Sequence, residues 1–550
     1  MKREKSLVLG ITTVAVTLLL AACGNSGSKE AVKTDTASFA TSDVIATMDS
    51  ALNTDVIGAQ ALTDTMEGLY RYEGKEIKPA IATKVVKPTN NGLTYTFPLR
   101  KDAKWSNGQP VTAEDFVYAW RRVVDPKVGS QYAYIYEGIK NAADITTGKE
   151  PVDSLGVVAK DKHTLEVTLE KPIPYFSQLM TSSTFFPQYP EAVKKAGKSY
   201  GTNSKTLVFN GPYKLENWNG PDSSWKEVKN TNYWNTKAVK VKTLKYQVVK
   251  DPSTALNLFQ SNKLDRTAIS GDTAKQMKND PHYSTLQKSA TFYMQVNQEK
   301  NPIFKNAKIR RAISMTINRK ELVAQVLGDG SSPIASVTPK NMSFDPTTKK
   351  DFVDDLDAAG KKNASYNPKE ATKLWNEGLA ETGQTGKTFN YTLLGDDTDT
   401  AKKQSEYLQN TLQKNLPGLK VTLANVPFKT RLTRSTNGDF DMVVSAWNAD
   451  FPDPITFLDL FVTGGDNNDG HWSNAEYDAQ IKASKGDNAN DPKARWQNLV
   501  KAQDIMNTES GVIPLYQSGV AYLTNPSLKG LDYGPSGSYN NVSLYLKKIN

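Results

Sequence analysis

The stretch Val421–Pro454, VTLANVPFKTRLTRSTNGDFDMVVSAWNADFPDP, reads as strand, helix, strand and loop. Its second strand is the apolar run Met442 to Ala446, which ends in Trp447, Asn448, Ala449 and Asp450 before two prolines fix an extended loop and a helix begins. An aromatic face and a carboxylate therefore stand at a strand end, where α/β folds put their ligands. The plainer reading is a turn whose aspartate caps the next helix, and spacing alone does not choose between them.

The same alternation recurs on either side. VKTLKYQVVKDPSTALNLFQSNKLD, from Val241, is strand, turn and helix, and INRKELVAQVL, from Ile317, is helical. Further upstream, LTYTFPLR (Leu93–Arg100) alternates like a half-buried strand. Asn107-Gly108 marks a tight turn, Thr112 with Asp115 is a capping-box variant, and Phe116, Val117, Trp120, Val123 and Val124 form the apolar face of a helix that Pro126 stops. Near the start, Leu62, Met66 and Leu69 fall on one helical face. The expected class is α/β with mixed sheets. About 520 residues beyond the first segment exceed what one hydrophobic core supports, so two or three lobes are expected.

Composition removes several functions. The formal charge is +10, and loss of Lys2, Arg3, Glu4 and Lys5 would leave about +8, spread over the surface and not gathered into a block. No zinc, RNP or helix-turn-helix pattern supports nucleic-acid binding. His163, His282 and His471 are far apart and suggest no metal site or catalytic triad. G-x-S-x-G, H-E-x-x-H, Walker and G-x-G-x-x-G patterns are missing, and S-x-x-K at Ser26–Lys29 and Ser223–Lys226 has no S-D-N partner. No cofactor is expected. The 9 Trp, 24 Tyr and 18 Phe provide material for a large concave surface as well as a core.

The single cysteine, Cys23, follows Lys2, Arg3 and Lys5, an apolar run from Leu7 to Leu20, and the small pair Ala21-Ala22. That order is the one of an export signal, too short to span a membrane, and after Cys23 the chain turns to Gly, Asn, Ser, Lys and Glu. A buried core thiol is the bland alternative. LAAC resembles the bacterial lipobox, in which the cysteine is lipidated and becomes the mature terminus. Residues 1–22 are then a lipoprotein signal peptide and 23–42 a flexible tether, with two acyl chains giving durable attachment to the outer face of a cell membrane.

Four segments carry a second resemblance: LTYTFPLRKDAKWSNGQPVTAEDFVYAWRRVVDP, GPYKLENW, NPIFKNAKIRRAISMTINRKELV and AWNADFPDP. They look like the extracellular solute-binding proteins of peptide ABC transporters, the oligopeptide-binding family, and the lipobox points to the membrane-anchored Gram-positive version. The resemblance implies a periplasmic-binding-protein-like fold (type II, cluster C) of three lobes with a hinged cleft. Lobe I would comprise 43–69, 196–295 and 516–550, lobe II 70–195, and lobe III 296–515. It further implies that Asp450 pairs with a peptide α-ammonium, that Trp447 lines a side-chain pocket beside Asn448 and Ala449, that Tyr132, Tyr134 and Tyr516 line the cleft, and that Val56 offers backbone groups. Each tyrosine could equally be packing.

One departure concerns the far end of the ligand. Enteric relatives hold a peptide carboxylate with basic side chains where this chain has Ser435 and Val444, and Arg431 and Arg434 are shifted. An open-ended site for longer peptides is expected. The implied partners are an oligopeptide, the transmembrane subunits of an ABC permease and, through Cys23, the membrane; a monomer and no catalysis are expected. Competing readings are a peptide pheromone receptor, a binder of haem, nickel chelates or oligosaccharides, and an exported hydrolase.

Overall fold

The computed structural model describes residues 35–535 and 539–547. Cys23, the segment 1–22 and the first part of the expected tether lie outside the described residues. Among those described, no helix is long and apolar enough to cross a membrane, and no group of three His, Cys, Asp or Glu side chains could hold a metal ion.

One mixed sheet organises the molecule. Its main strands are β1 Thr36–Thr41, β2 Tyr213–Glu216, β3 Ser224–Lys229, β4 Thr243–Val248, β5 Arg266–Ile269, β6 Tyr283–Val296, β7 Phe389–Asp396, β8 Leu419–Val426, β9 Met442–Asn448 and β10 Ile513–Thr524. In space they run β8-β7-β9-β6-β10-β5-β1-β4-β3-β2. β1 pairs in parallel with β4 along its full length, with Ala37 and Phe39 buried. The expected tether to residue 42 is therefore corrected: TASFAT is an interior strand, because its small and aromatic residues fill the sheet core.

β6 and β10 join two half-sheets. The C-terminal end of β10 pairs with β5, and through it the sheet continues to β2. The C-terminal end of β6 pairs with β9 from Ala290 to Val296, and through it the sheet continues to β8. Between these ends the β6–β10 ladder slips register at Gln287/Thr291 and again at Phe292/Tyr293. Such bulges bend a strand and leave backbone groups unpaired. Here side chains supply partners: Gln517 Nε2 donates to the Lys288 carbonyl at 3.0 Å and Gln287 Nε2 to the Ser518 carbonyl at 2.9 Å. The expected lobe boundaries at 295/296 and 515/516 fall inside these continuous strands, and the change of partners lies several residues away, at the bulge.

Residues 70–195 add a layer around the antiparallel sheet Thr94–Pro98, Thr164–Thr168, Val157–Asp161, and its core is continuous with that of β1 and β4. The helix Ala113–Val124 carries the expected Thr112–Asp115 capping box and buries Phe116, Trp120, Val123 and Val124. The first helix is Val56–Thr65, so Leu62 is helical whereas Met66 closes the helix and Leu69 lies beyond it; all three are buried. INRKELVAQVL is one α-turn, Arg319–Glu321, followed by π-helix from Leu322 to Leu327.

Candidate functional site

The stretch Val421–Pro454 folds as most of β8, the helix Phe428–Thr436, β9 and the loop beyond it. Gly438, at φ +67°, permits the reversal between helix and strand. β9 runs two residues further than the apolar pattern, through Trp447 and Asn448, because both still pair with β6 at Thr291 and Ala290. The Ala449 N–H then donates to the Ser289 carbonyl at 2.8 Å, which fastens the strand end to the bulge.

Asp450 does not cap the following helix. Pro454 stands at the cap, and Asp453 just before it accepts from the Ile455 N–H at 3.0 Å and is gripped by both Arg495 Nη1 and Arg495 Nη2 at 2.8 Å. Phe451 stacks on Tyr175 at 4.6 Å and 7°. With its loop clamped on both sides, Asp450 is held facing inward. Tyr132 Oη donates to its Oδ1 and Thr456 Oγ1 to its Oδ2, each at 3.1 Å. No cation within ion-pair distance accompanies it among the described residues, and burial pushes its carboxyl up to about 6 against the pull of those two hydroxyls.

Asp450 lines a cavity of about 420 Å³ that lies at the β6–β10 bulge, with Lys288, Ala290 and Ser518 in its wall. The volume falls within the roughly 300–1,000 Å³ of ligand sites. The walls are more apolar than polar, but the charged groups among them are mostly acidic: Asp43, Asp55, Asp396, Asp450 and Asp469 against Lys288 and Arg431. A chain of net charge +10 has thus kept a negative interior here. Asp43 is matched by Lys250 at 3.2 Å and Asp396 by Arg431 at 3.1 Å. Asp55 is satisfied as the N-cap of helix Val56–Thr65, accepting from the Ile57 and Gly58 N–H groups, yet burial raises it to about 6.

The structure gathers most of the expected residues around this cavity. Trp447, Asn448, Ala449, Asp450, Tyr132 and Val56 all line it. Val56 is the first residue of its helix, and its side chain is 56 % exposed. Trp447 lies 5.8 Å from the Tyr132 ring, and the Asn448 Oδ1 is buried with no protein partner among the described residues. Two expectations are corrected. Tyr134 stacks behind Tyr132 at 6.0 Å and lines a smaller crevice with Glu137, Tyr175 and Lys485. Tyr516 is 4 % exposed, stacked on Phe292 at 4.7 Å and donating to Gln404 Oε1 at 3.1 Å; it backs two wall residues without reaching the wall.

Sequence reasoning missed Asp43, Asp55, Asp396, Asp469 and Gln404. They lie in five separate segments, and only Asp55, three residues before Gly58 in an N-cap pattern, gave any local signal. Arg431, seen as shifted from a carboxylate-binding position, is 5 % exposed and committed to Asp396 and Ser445 Oγ. Arg434 turns outward to Asp439.

The family model of the bacterial extracellular solute-binding proteins, family 5, matches residues 76–469. The chain belongs to that family. Family 5 members are binding proteins, and the fold is of their periplasmic-binding-protein type. A dipeptide-binding protein of Lactococcus lactis is 34 % identical over the whole of both chains. Among solved structures, this family 5 chain resembles the Listeria monocytogenes OppA bound to peptide, at 40 % identity and a TM-score of 0.89 over 94 % of this chain and 100 % of that one. It is also similar to the pheromone receptor PrgZ, at 36 % identity and a TM-score of 0.88 over 94 % and 100 % of the two chains.

Proposed function

We propose that this protein captures oligopeptides outside the cell and hands them to an ABC-type peptide permease, held to the membrane by a lipid on Cys23. One observation carries the peptide reading: Asp450, a desolvated carboxylate with hydroxyl donors and no cation, stands at a strand terminus in an acidic cavity. Every unblocked peptide has one α-ammonium, so a single fixed carboxylate recognises the class without reading its sequence. Val56, the exposed first residue of helix Val56–Thr65, offers its backbone to the peptide's amides. The names of the relatives, dipeptide-binding and peptide-bound, agree with this chemistry. The three lobes close by bending at the β6–β10 join, and the protein binds its ligand without cleaving it.

Asp450→Ala is expected to weaken a free-amine peptide by about tenfold or more, as loss of a hydrogen bond to a charged group costs about 1.5–3 kcal/mol, and to leave its acetylated counterpart far less affected. Equal losses in calorimetric titrations of the two peptides would remove the ammonium contact. For the anchor, Cys23→Ser should move the protein from the membrane fraction to the medium. A pheromone receptor would use the same chemistry, and the likeness to PrgZ favours keeping that second reading. Mass spectrometry of co-purified ligand separates them: a mixture of peptides supports nutrient capture, and one defined peptide supports signalling.

A further inference from the structure

Arg431 organises the cavity wall away from Asp450. Its Nε donates to Asp396 Oδ1 at 3.1 Å and its Nη1 to Ser445 Oγ at 3.3 Å, and its guanidinium lies 4.9 Å from the Phe428 ring. Its charge is therefore answered by Asp396. Asp469 enters the same region from the loop before Gly470, whose N–H donates to Gln295 Oε1 on β6. It is half-buried with its open side on the cavity, and among the described residues nothing donates a hydrogen bond to it and no cation pairs with it. Tyr293 on β6 and Arg431 on the helix are the ionisable groups whose charge is felt between them and Asp469, and burial lifts its carboxyl to about 7 in spite of Arg431.

Two further groups in this wall lack protein partners. Ser435 is 2 % exposed with its Oγ unpaired, and Gln404 is 4 % exposed with its Nε2 unpaired; both line the cavity. Buried polar groups normally have partners, so the open ones mark where a ligand completes the bonding: Ser435 Oγ can accept from a cationic group, whereas Gln404 Nε2 is a donor and suits a ligand carbonyl. Asp396, Arg431 and ionised Asp469 sum to one negative charge. A second anion placed here would meet Asp469 unshielded, whereas a cation restores neutrality.

We propose that Asp469 is a second cation subsite, taking the ammonium or guanidinium side chain of a ligand residue that lies inward of the amino terminus. This deepens the peptide reading and rests on it. On β9, Ser445 and Trp447 share a face about 7 Å apart, so an extended peptide whose terminus is at Asp450 passes the tryptophan and then the Ser445–Arg431–Asp469 region. The chain thus prefers peptides with Lys, Arg or ornithine at one register position.

The test is a lysine walk. Alanine pentapeptides with a single Lys, norleucine or Glu moved through positions one to five are titrated into the full-length protein by calorimetry. At one position Lys should bind about tenfold tighter than norleucine, with Glu weaker still. In Asp469→Asn the Lys-to-norleucine ratio at that position should fall close to one, and in Asp469→Glu it should persist. Wild-type binding with no lysine preference at any position overturns the subsite while leaving the ammonium contact intact. A ratio unchanged in Asp469→Asn also overturns it. No binding of any peptide overturns both this proposal and the peptide reading.

Discussion

At the scale of single residues, Asp450 behaves as a conditional charge. Burial raises its carboxyl from the usual range to about 6, so the ligand-free fold is favoured with Asp450 protonated, and this contribution is lost as pH rises from about 4 through 6. A peptide ammonium favours the ionised form, so binding has the opposite dependence. Affinity for free-amine peptides should hold above pH 6 and fall below it by up to tenfold per unit, and acetylated peptides should lack that part of the slope in titrations from pH 4.5 to 8. Asp450→Asn should flatten the difference. Trp447, Asn448, Ala449 and Asp450 were legible in the sequence because one strand end carries them all. Asp55, Asp396 and Asp469 were not, because each becomes a wall residue only when distant segments meet.

At the scale of elements, the loop after β9 is a built support. Arg495, on helix Pro492–Glu509, is 8 % exposed and bidentate to Asp453, and its guanidinium lies 5.4 Å from the Tyr175 ring. Removing one member of a buried pair leaves the other charge desolvated, at a cost of about 3–5 kcal/mol. Arg495→Met should lower the urea midpoint accordingly and weaken peptide binding as well, since the loop it holds fixes Asp450. Destabilisation with unchanged affinity would separate that clamp from the site. The strand-helix-strand units were readable from period and caps, as in Thr112–Asp115 and Pro126, whereas β1 was misread as tether because a six-residue run of Thr, Ala, Ser and Phe looks like polar linker until a parallel neighbour buries it.

At the scale of the whole molecule, two half-sheets share only the β6–β10 pair, and side-chain contacts away from that pair tie the flanking parts together. Gln131 reaches Thr436 at 3.2 Å, the Phe428 N–H donates to Asp43 at 3.0 Å, and Lys485 bridges Glu137 and Asp459. The Lys485–Glu137 bridge touches no cavity wall residue. Being partly exposed, it contributes up to about 1 kcal/mol, so Glu137→Gln should weaken all peptides alike by roughly two- to fivefold, through a smaller closed population. Small-angle scattering of the ligand-free variant should show a larger radius of gyration than wild type; an unchanged radius with unchanged affinity would deny the bridge any part in closure. The Tyr132–Trp447 contact has its own use, since one ring comes from the layer 70–195 and the other from β9. If the cleft opens as proposed, separation of the two would wet the indole further and redden its emission, so this one tryptophan of nine would report the opening with no added dye.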